Sequence, residues 1–170
     1  RLLRWGLLKP SLIPQREIQE LRDVCRYRKR LTEEASAEKN RVQKELEDAN
    51  IKLASVATDI FGVSGRNMLQ ALVADHLSPE EMAEMARGKL RRRIPELVDA
   101  LAGNVREHHR LLIRMHLDHL CYLEELIGEL NERVTQKLEP YRRQIDLICS
   151  TPGYDVISAQ HVFVEFGGDI

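Results

Sequence analysis

The chain has 170 residues, 43% of them hydrophobic, 31% charged and only 5% aromatic, with a formal net charge of −1. That balance excludes a bulk electrostatic attraction to nucleic acid, so any grip on a polyanion has to come from local patches. No apolar run approaches the roughly 20 residues that cross a bilayer, and no signal peptide is visible.

Few aromatics among many Leu, Ala, Glu, Lys and Arg is the composition of extended helices and coiled coils. Periodic Leu, Ile and Val positions argue against disorder. The length allows one domain or two small ones. Cys25, Cys121 and Cys149 are far apart and form no CxxC pair, which fits a reducing, intracellular setting.

Residues 1–14, "RLLRWGLLKPSLIP", are apolar and broken by Pro10 and Pro14, and read as an irregular tail. A helix is expected from about Gln15 to Asp59, with Glu17 and Glu20 favouring its positive end. Leu31, Ala35, Val42, Leu46, Ala49, Leu53 and Val56 recur at heptad intervals along it. Gly62 and Gly65 mark the turn beyond.

A shorter helix after Ser64 turns Met68, Leu69, Leu72 and Val73 inward. In "SPEEMAEMARG", Ser78 caps a helix, Pro79 suits its first position, Glu81 completes a capping box and Gly88 is the expected stop. Another helix spans Ile94 to Ala102 and ends at Gly103. From about Val105 to Cys149 a second long helix carries Ile113, Leu120, Ile127, Val134, Tyr141 and Ile148 every seven residues. His116, Leu123 and Leu130 sit three further on, completing a seam, and Pro140 should kink or restart the helix. The expected fold is all-α: two long heptad helices in an antiparallel coiled-coil hairpin, a small helical cluster between them, and a helix-hairpin-helix-like end. The same seam is compatible with pairing to a second copy.

Three features bear on chemistry. "LICSTPGYDVISAQHVFVEFG" has the layout of a helix-hairpin-helix, in which backbone N–H groups at a Pro-Gly turn and a helix amino end point at a phosphate. Pro152, Gly153 and Tyr154 form that turn. Asp155 stands where the usual pattern has a second glycine, so its charge opposes a phosphate, and it serves equally well as a cap on the following helix.

Two basic runs are candidate phosphate footprints. The first holds Arg26, Arg28, Lys29 and Arg30 with Tyr27 among them, and the second holds Arg87, Lys89, Arg91, Arg92 and Arg93. Each run also reads as a solvated helix face. The histidines His108, His109, His116 and His119 invite a metal reading, but no HExxH or comparable pattern is present, and a polar residue at a seam position often sets register instead. No catalytic serine or cysteine context, glycine-rich phosphate loop or carboxylate pair appears, so no catalytic residue and no metal ligand is assigned.

The stretches "GLLKPSLIP", "IQELRDVCRYRKRLTEE", "EKNRVQKELEDANIKLASVATDIFGVSGRNMLQALV", "ARGKLRRRIPELVDAL", "HHRLLIRMHLDHLCYLEELI" and "STPGYDVISAQHVFVEFG" together resemble the Piv/MooV-type DEDD insertion-sequence transposases, in one order over essentially the whole chain. The resemblance implies a RuvC-like nuclease domain with four acidic residues binding divalent metal (Mg), a helical coiled-coil middle, and a carboxyl-terminal transposase domain containing a serine. It also implies cutting and rejoining of DNA in the cytoplasm of a bacterium or archaeon, with a structured guide RNA as partner in some members.

Laid on that pattern, residues 1–14 are expected to be the tail of the RuvC-like domain, 15–143 the helical coiled-coil domain, and 144–170 the start of the carboxyl-terminal domain. Both ends of the chain look cut, and no catalytic position of the family falls on a residue here; Ser64, Ser150 and Ser158 do not stand in the serine's motif. The expected role is nucleic-acid contact and homo-oligomerisation through the coiled coil, without cofactor or membrane. Two other readings stay open: a coiled-coil scaffold with no nucleic-acid role, and a helix-hairpin-helix repair factor.

Overall fold

A computed structural model describes residues 15–167, and every regular element in that span is helical. The tail expected at residues 1–14 lies outside the described residues. The chain divides into two compact units: a terminal unit of residues 15–32 and 125–167, and a central unit of residues 33–124. In the terminal unit the segment 144–167 lies with residues 15–32 and 125–143.

The first helix, α1 (Arg16–Asp48), is shorter than its heptad pattern predicts. It stops because Asn50 takes the left-handed conformation, φ 57°. The Ile51 N–H then donates to the Leu46 carbonyl at 2.8 Å and the Asn50 N–H to Glu47 at 2.9 Å. This is a Schellman motif with Asn in place of the usual Gly, and its apolar partners Ile51 and Leu46 are both buried. The stripe itself holds: Leu31, Ala35, Val42, Leu46, Ala49, Leu53 and Val56 are all buried, the last two on the single turn α2 (Leu53–Val56).

In the central unit, α3 (Val63–Ala74), α4 (Pro79–Ala83) and α5 (Ile94–Leu101) close over the carboxyl end of α1. Their inward residues Met68, Leu69, Leu72, Met82, Leu97 and Leu101 join Val42, Leu46 and Ile113 in one core. Each large aliphatic buried there contributes about 1.5–3 kcal/mol. Gly65 lies inside α3 rather than in a turn, and a Cβ on it would stand 2.1 Å from the Ile60 carbonyl oxygen. The Ser78–Glu81 capping box forms as expected. The helix it starts ends at Ala83, before Gly88, as 3.1 Å bonds from Met85 to Met82 and from Ala86 to Ala83 tighten the chain into a turn. Gly88, at φ 59°, instead opens a 3₁₀ segment running to Arg93.

The second long helix, α6 (Glu107–Leu138), gives way at Pro140 to a 3₁₀ turn and restarts as α7 (Arg142–Cys149). Ile113, Leu120, Leu123 and Val134 are buried, while Ile127, Leu130, Tyr141 and Ile148 are half-buried. In the terminal unit α7 packs on α8 (Val156–Glu165). Ile145, Ala159, Phe163 and Val164 form a core with Ile18, Leu21 and Cys25 of α1 and Val134 and Leu138 of α6. Burial raises the pKa of the Cys25 thiol.

Candidate nucleic-acid interface

The run from Arg87 to Arg93 lies in the central unit, where Ser64 accepts a 3.0 Å hydrogen bond from the Arg87 N–H. A 3₁₀ segment turns by three residues, so five cations within seven residues cannot all face one way. Arg93 faces inward. Its Nη1 donates to the Val56 carbonyl at 2.5 Å and its Nε to Glu96 at 2.9 Å. The hydrogen bond from Arg93 holds the Glu96 carboxyl below its usual range. Arg93 is therefore an anchor that joins the basic segment to α2 and α5.

Arg91 meets Glu84 at 3.4 Å with both side chains well exposed, at 62% and 60%. An ion pair so open to water is weak, and a phosphate can displace the carboxylate. Arg87, Lys89 and Arg92 are exposed, and among the described residues nothing hydrogen-bonds or pairs with their side chains. Beside them an open cleft of about 540 Å³ is bordered by Arg87, Arg91, Glu84, Asn67, Gln70 and His76.

The first basic run is spread around α1 by its 100° per residue. Arg28 is only 3% exposed. Its guanidinium donates to Gln160 Oε1 at 2.9 Å, Asn131 Oδ1 at 3.1 Å and the Ile157 carbonyl at 3.2 Å. Burial lowers its pKa, but a guanidinium stays charged. The expectation that Arg28 contacts phosphate is corrected on this geometry: it is a hub inside the terminal unit.

Arg26 is engaged too, forming a bidentate pair with Glu165 at 2.7 and 2.8 Å that holds that carboxyl below its usual range. One turn earlier Arg22 donates to the Val164 and Glu165 carbonyls at 3.0 and 3.2 Å, capping the negative end of α8. Lys29 and Arg30 remain exposed, as does Tyr27 at 51%. The run thus leaves a narrow cationic edge rather than a patch.

At the hairpin, Pro152, Gly153 and Tyr154 are exposed, Gly153 has φ 96°, and the Tyr154 N–H donates to Thr151 at 3.3 Å. Asp155 caps α8, accepting from the Ser158 N–H at 2.8 Å, and that backbone hydrogen bond holds its carboxyl below the usual range. The carboxylate thus occupies the ground at the helix amino end where a phosphate would sit.

His116 and His119 each bring Nδ1 to Glu38, at 2.7 and 3.0 Å, and Arg41 pairs with the same carboxylate. Each Nδ1 must carry a hydrogen, since a carboxylate only accepts. Burial alone would raise the Glu38 carboxyl, but the hydrogen bonds from His119 and His116 and the charge of Arg41 outweigh it, and the net displacement is downward. His109 is buried and accepts from the Arg106 N–H at 3.2 Å. Among the described residues no three His, Cys, Asp or Glu side chains converge as a metal site.

Sequence reasoning found the cations but not their partners. Glu38, Glu84, Glu165 and Gln160 decide which cations are committed, and each lies too far along the chain, or on too ordinary a helix face, to announce itself. Asn67 and Gln70 were missed because lone amides carry no motif. No family model, no characterised protein and no solved structure significantly matches this chain.

Proposed function

We propose that this chain is a nucleic-acid-binding part of a DNA transposase of the type it resembles, contributing contact and subunit pairing rather than strand chemistry. The observation that carries the reading is the exposed basic segment with Arg87, Lys89 and Arg92 uncommitted and Arg91 only loosely paired. Neutralising three phosphates releases their counterions, which supplies binding with little reading of sequence. Lys29, Arg30 and the hairpin turn Pro152, Gly153 and Tyr154 are secondary contacts, with Asp155 opposing a phosphate at the turn. DNA is the partner, with a structured RNA as a further one, and the divalent metal of the family belongs to a nuclease domain outside these residues.

The two long helices pair as an antiparallel coiled-coil hairpin in this reading. Within the central unit the contacts at two levels support that direction: Glu38 and Lys39 on α1 meet His116, His119 and Glu124 on α6, whereas Ala49, just past α1, accepts from the Asn104 N–H at 2.8 Å, just before α6. A second reading, a protein-docking scaffold, is favoured by Leu111, Met115 and Tyr122, exposed at helical spacing on α6.

Electrophoretic retardation of duplex DNA and structured RNA separates the two. A transposase part shifts both at low salt and loses them steeply as salt rises; a scaffold shifts neither. Charge reversal at Arg87, Lys89 and Arg92 that left the shift unchanged would remove the basis of the proposal.

A further inference from the structure

Resting on that reading, we infer that the cleft beside the basic segment takes an unstacked base of a single-stranded nucleic acid while Arg87, Lys89 and Arg92 hold the flanking phosphates. The cleft measures about 540 Å³, inside the range of roughly 300–1,000 Å³ typical of small-molecule sites. Its walls divide by chemistry. Leu77 and Met85 supply apolar surface, Asn67 and Gln70 supply amides, and Arg87 and Arg91 bring positive charge to the border.

Two details favour a base over a bare phosphate. Glu84 also lines the cleft, and its carboxylate repels a second anion, whereas a neutral base meets no such penalty and can donate an amino hydrogen to it. The amides of Asn67 and Gln70 have no hydrogen-bond partner among the described residues, and each offers a donor and an acceptor. Base edges present the same groups in complement, and apolar side chains such as Leu77 and Met85 can sandwich a base face. The phosphates stay outside, on the segment that has cations to spare. A base paired and stacked in a duplex cannot enter, so the preferred partner is single-stranded.

Fluorescence anisotropy of the full chain with three labelled probes of equal length tests this: a single strand, the same strand with every base replaced by an abasic site, and a duplex. A base stacked on an aromatic side chain gains about five- to 150-fold in affinity, and a base held by Leu77, Met85 and two amides should gain the low end of that range. The single strand should therefore bind about fivefold tighter than the abasic strand, which carries the same charge. Ala74→Leu, at an exposed position lining the cleft, should narrow its mouth without offering an aromatic face and reduce that difference while abasic binding stays unchanged. Asn67→Ala with Gln70→Ala, checked for wild-type helicity, should narrow the difference without adding bulk. Equal binding of the base-bearing and abasic strands overturns the inference, as does a duplex that binds as tightly as the single strand. If those results come with binding that still collapses in Arg87→Ala/Lys89→Ala/Arg92→Ala, the basic segment keeps its role and only the cleft loses its own. No binding to any probe overturns both.

Discussion

Replacing Arg28 by Met tests whether this arginine belongs to the interior or to a phosphate-facing run. Arg28 is 3% exposed, and its guanidinium gives three hydrogen bonds to oxygen, at 2.9 Å to Gln160, 3.1 Å to Asn131 and 3.2 Å to the Ile157 carbonyl. Hydrogen bonds to a charged partner contribute about 1.5–3 kcal/mol each but do not add fully, and removing a buried charge returns part of its desolvation. The net destabilisation expected for Arg28→Met is about 3 kcal/mol, a fall in Tm of about 6–12 °C for a chain of this size. Thermal melts followed by far-ultraviolet circular dichroism read it out. Arg28→Lys should recover only part, because an ammonium cannot reproduce the planar fork. If Arg28→Met melts with the wild type and instead weakens nucleic-acid binding, the guanidinium sits at the surface and the reasoning fails.

The other predictions concern the central unit and the hairpin. Glu38→Gln should destabilise the central unit at neutral pH, since it removes the charge that faces His116, His119 and Arg41. Because the folded Glu38 carboxyl is held below its ordinary value, its contribution is present above that value, about 4.3, and is lost as pH falls through the lowered one. Stability curves of wild type and Glu38→Gln should therefore converge in strong acid; a gap that widens there would contradict this. Gly65→Ala places a Cβ 2.1 Å from the Ile60 carbonyl oxygen and should destabilise by about 2–3 kcal/mol in urea titration, whereas wild-type stability would show the α3 start to be adaptable. Asp155→Asn keeps a good helix cap but removes a charge that the amino end of α8 favours, so it should lower the melting temperature slightly while raising DNA affinity about two- to fivefold at low salt. Unchanged affinity would place the Pro152–Tyr154 turn away from phosphate.

Much of the fold was legible because helix periodicity is a local property. Every member of the stripe from Leu31 to Val56 is buried, and Pro140 interrupts the second long helix where a missing N–H and a steric clash require it. The overrun of α1 has a specific cause. Heptad spacing continues through Leu53 and Val56, and the stop depends on Asn50 tolerating a left-handed backbone that the spacing does not register. The capping box at Ser78 and Glu81 announced itself because both partners lie three residues apart. The candidate site was legible only as composition. Five cations in seven residues marked the segment, but Arg93 is turned to Val56 and Glu96, and Arg28 in the other run is buried against Gln160, 132 residues away. Partners that distant are joined by tertiary packing, which no local pattern encodes. The assembly of Asn67, Gln70 and Met85 around one cleft is of the same kind.

The most direct test is a salt series of binding to a labelled duplex, run with the wild type and with Arg87→Ala/Lys89→Ala/Arg92→Ala. Three phosphate contacts predict a slope of log affinity against log salt of about −2.7, a loss of about 40-fold between about 50 and about 200 mM. The triple variant should bind weakly, and its slope should be shallower by the share of those three contacts, leaving only what Arg91, Lys29 and Arg30 supply. A wild type that binds nothing at low salt, or a triple variant that keeps the full slope, would contradict the proposal that this segment holds nucleic acid.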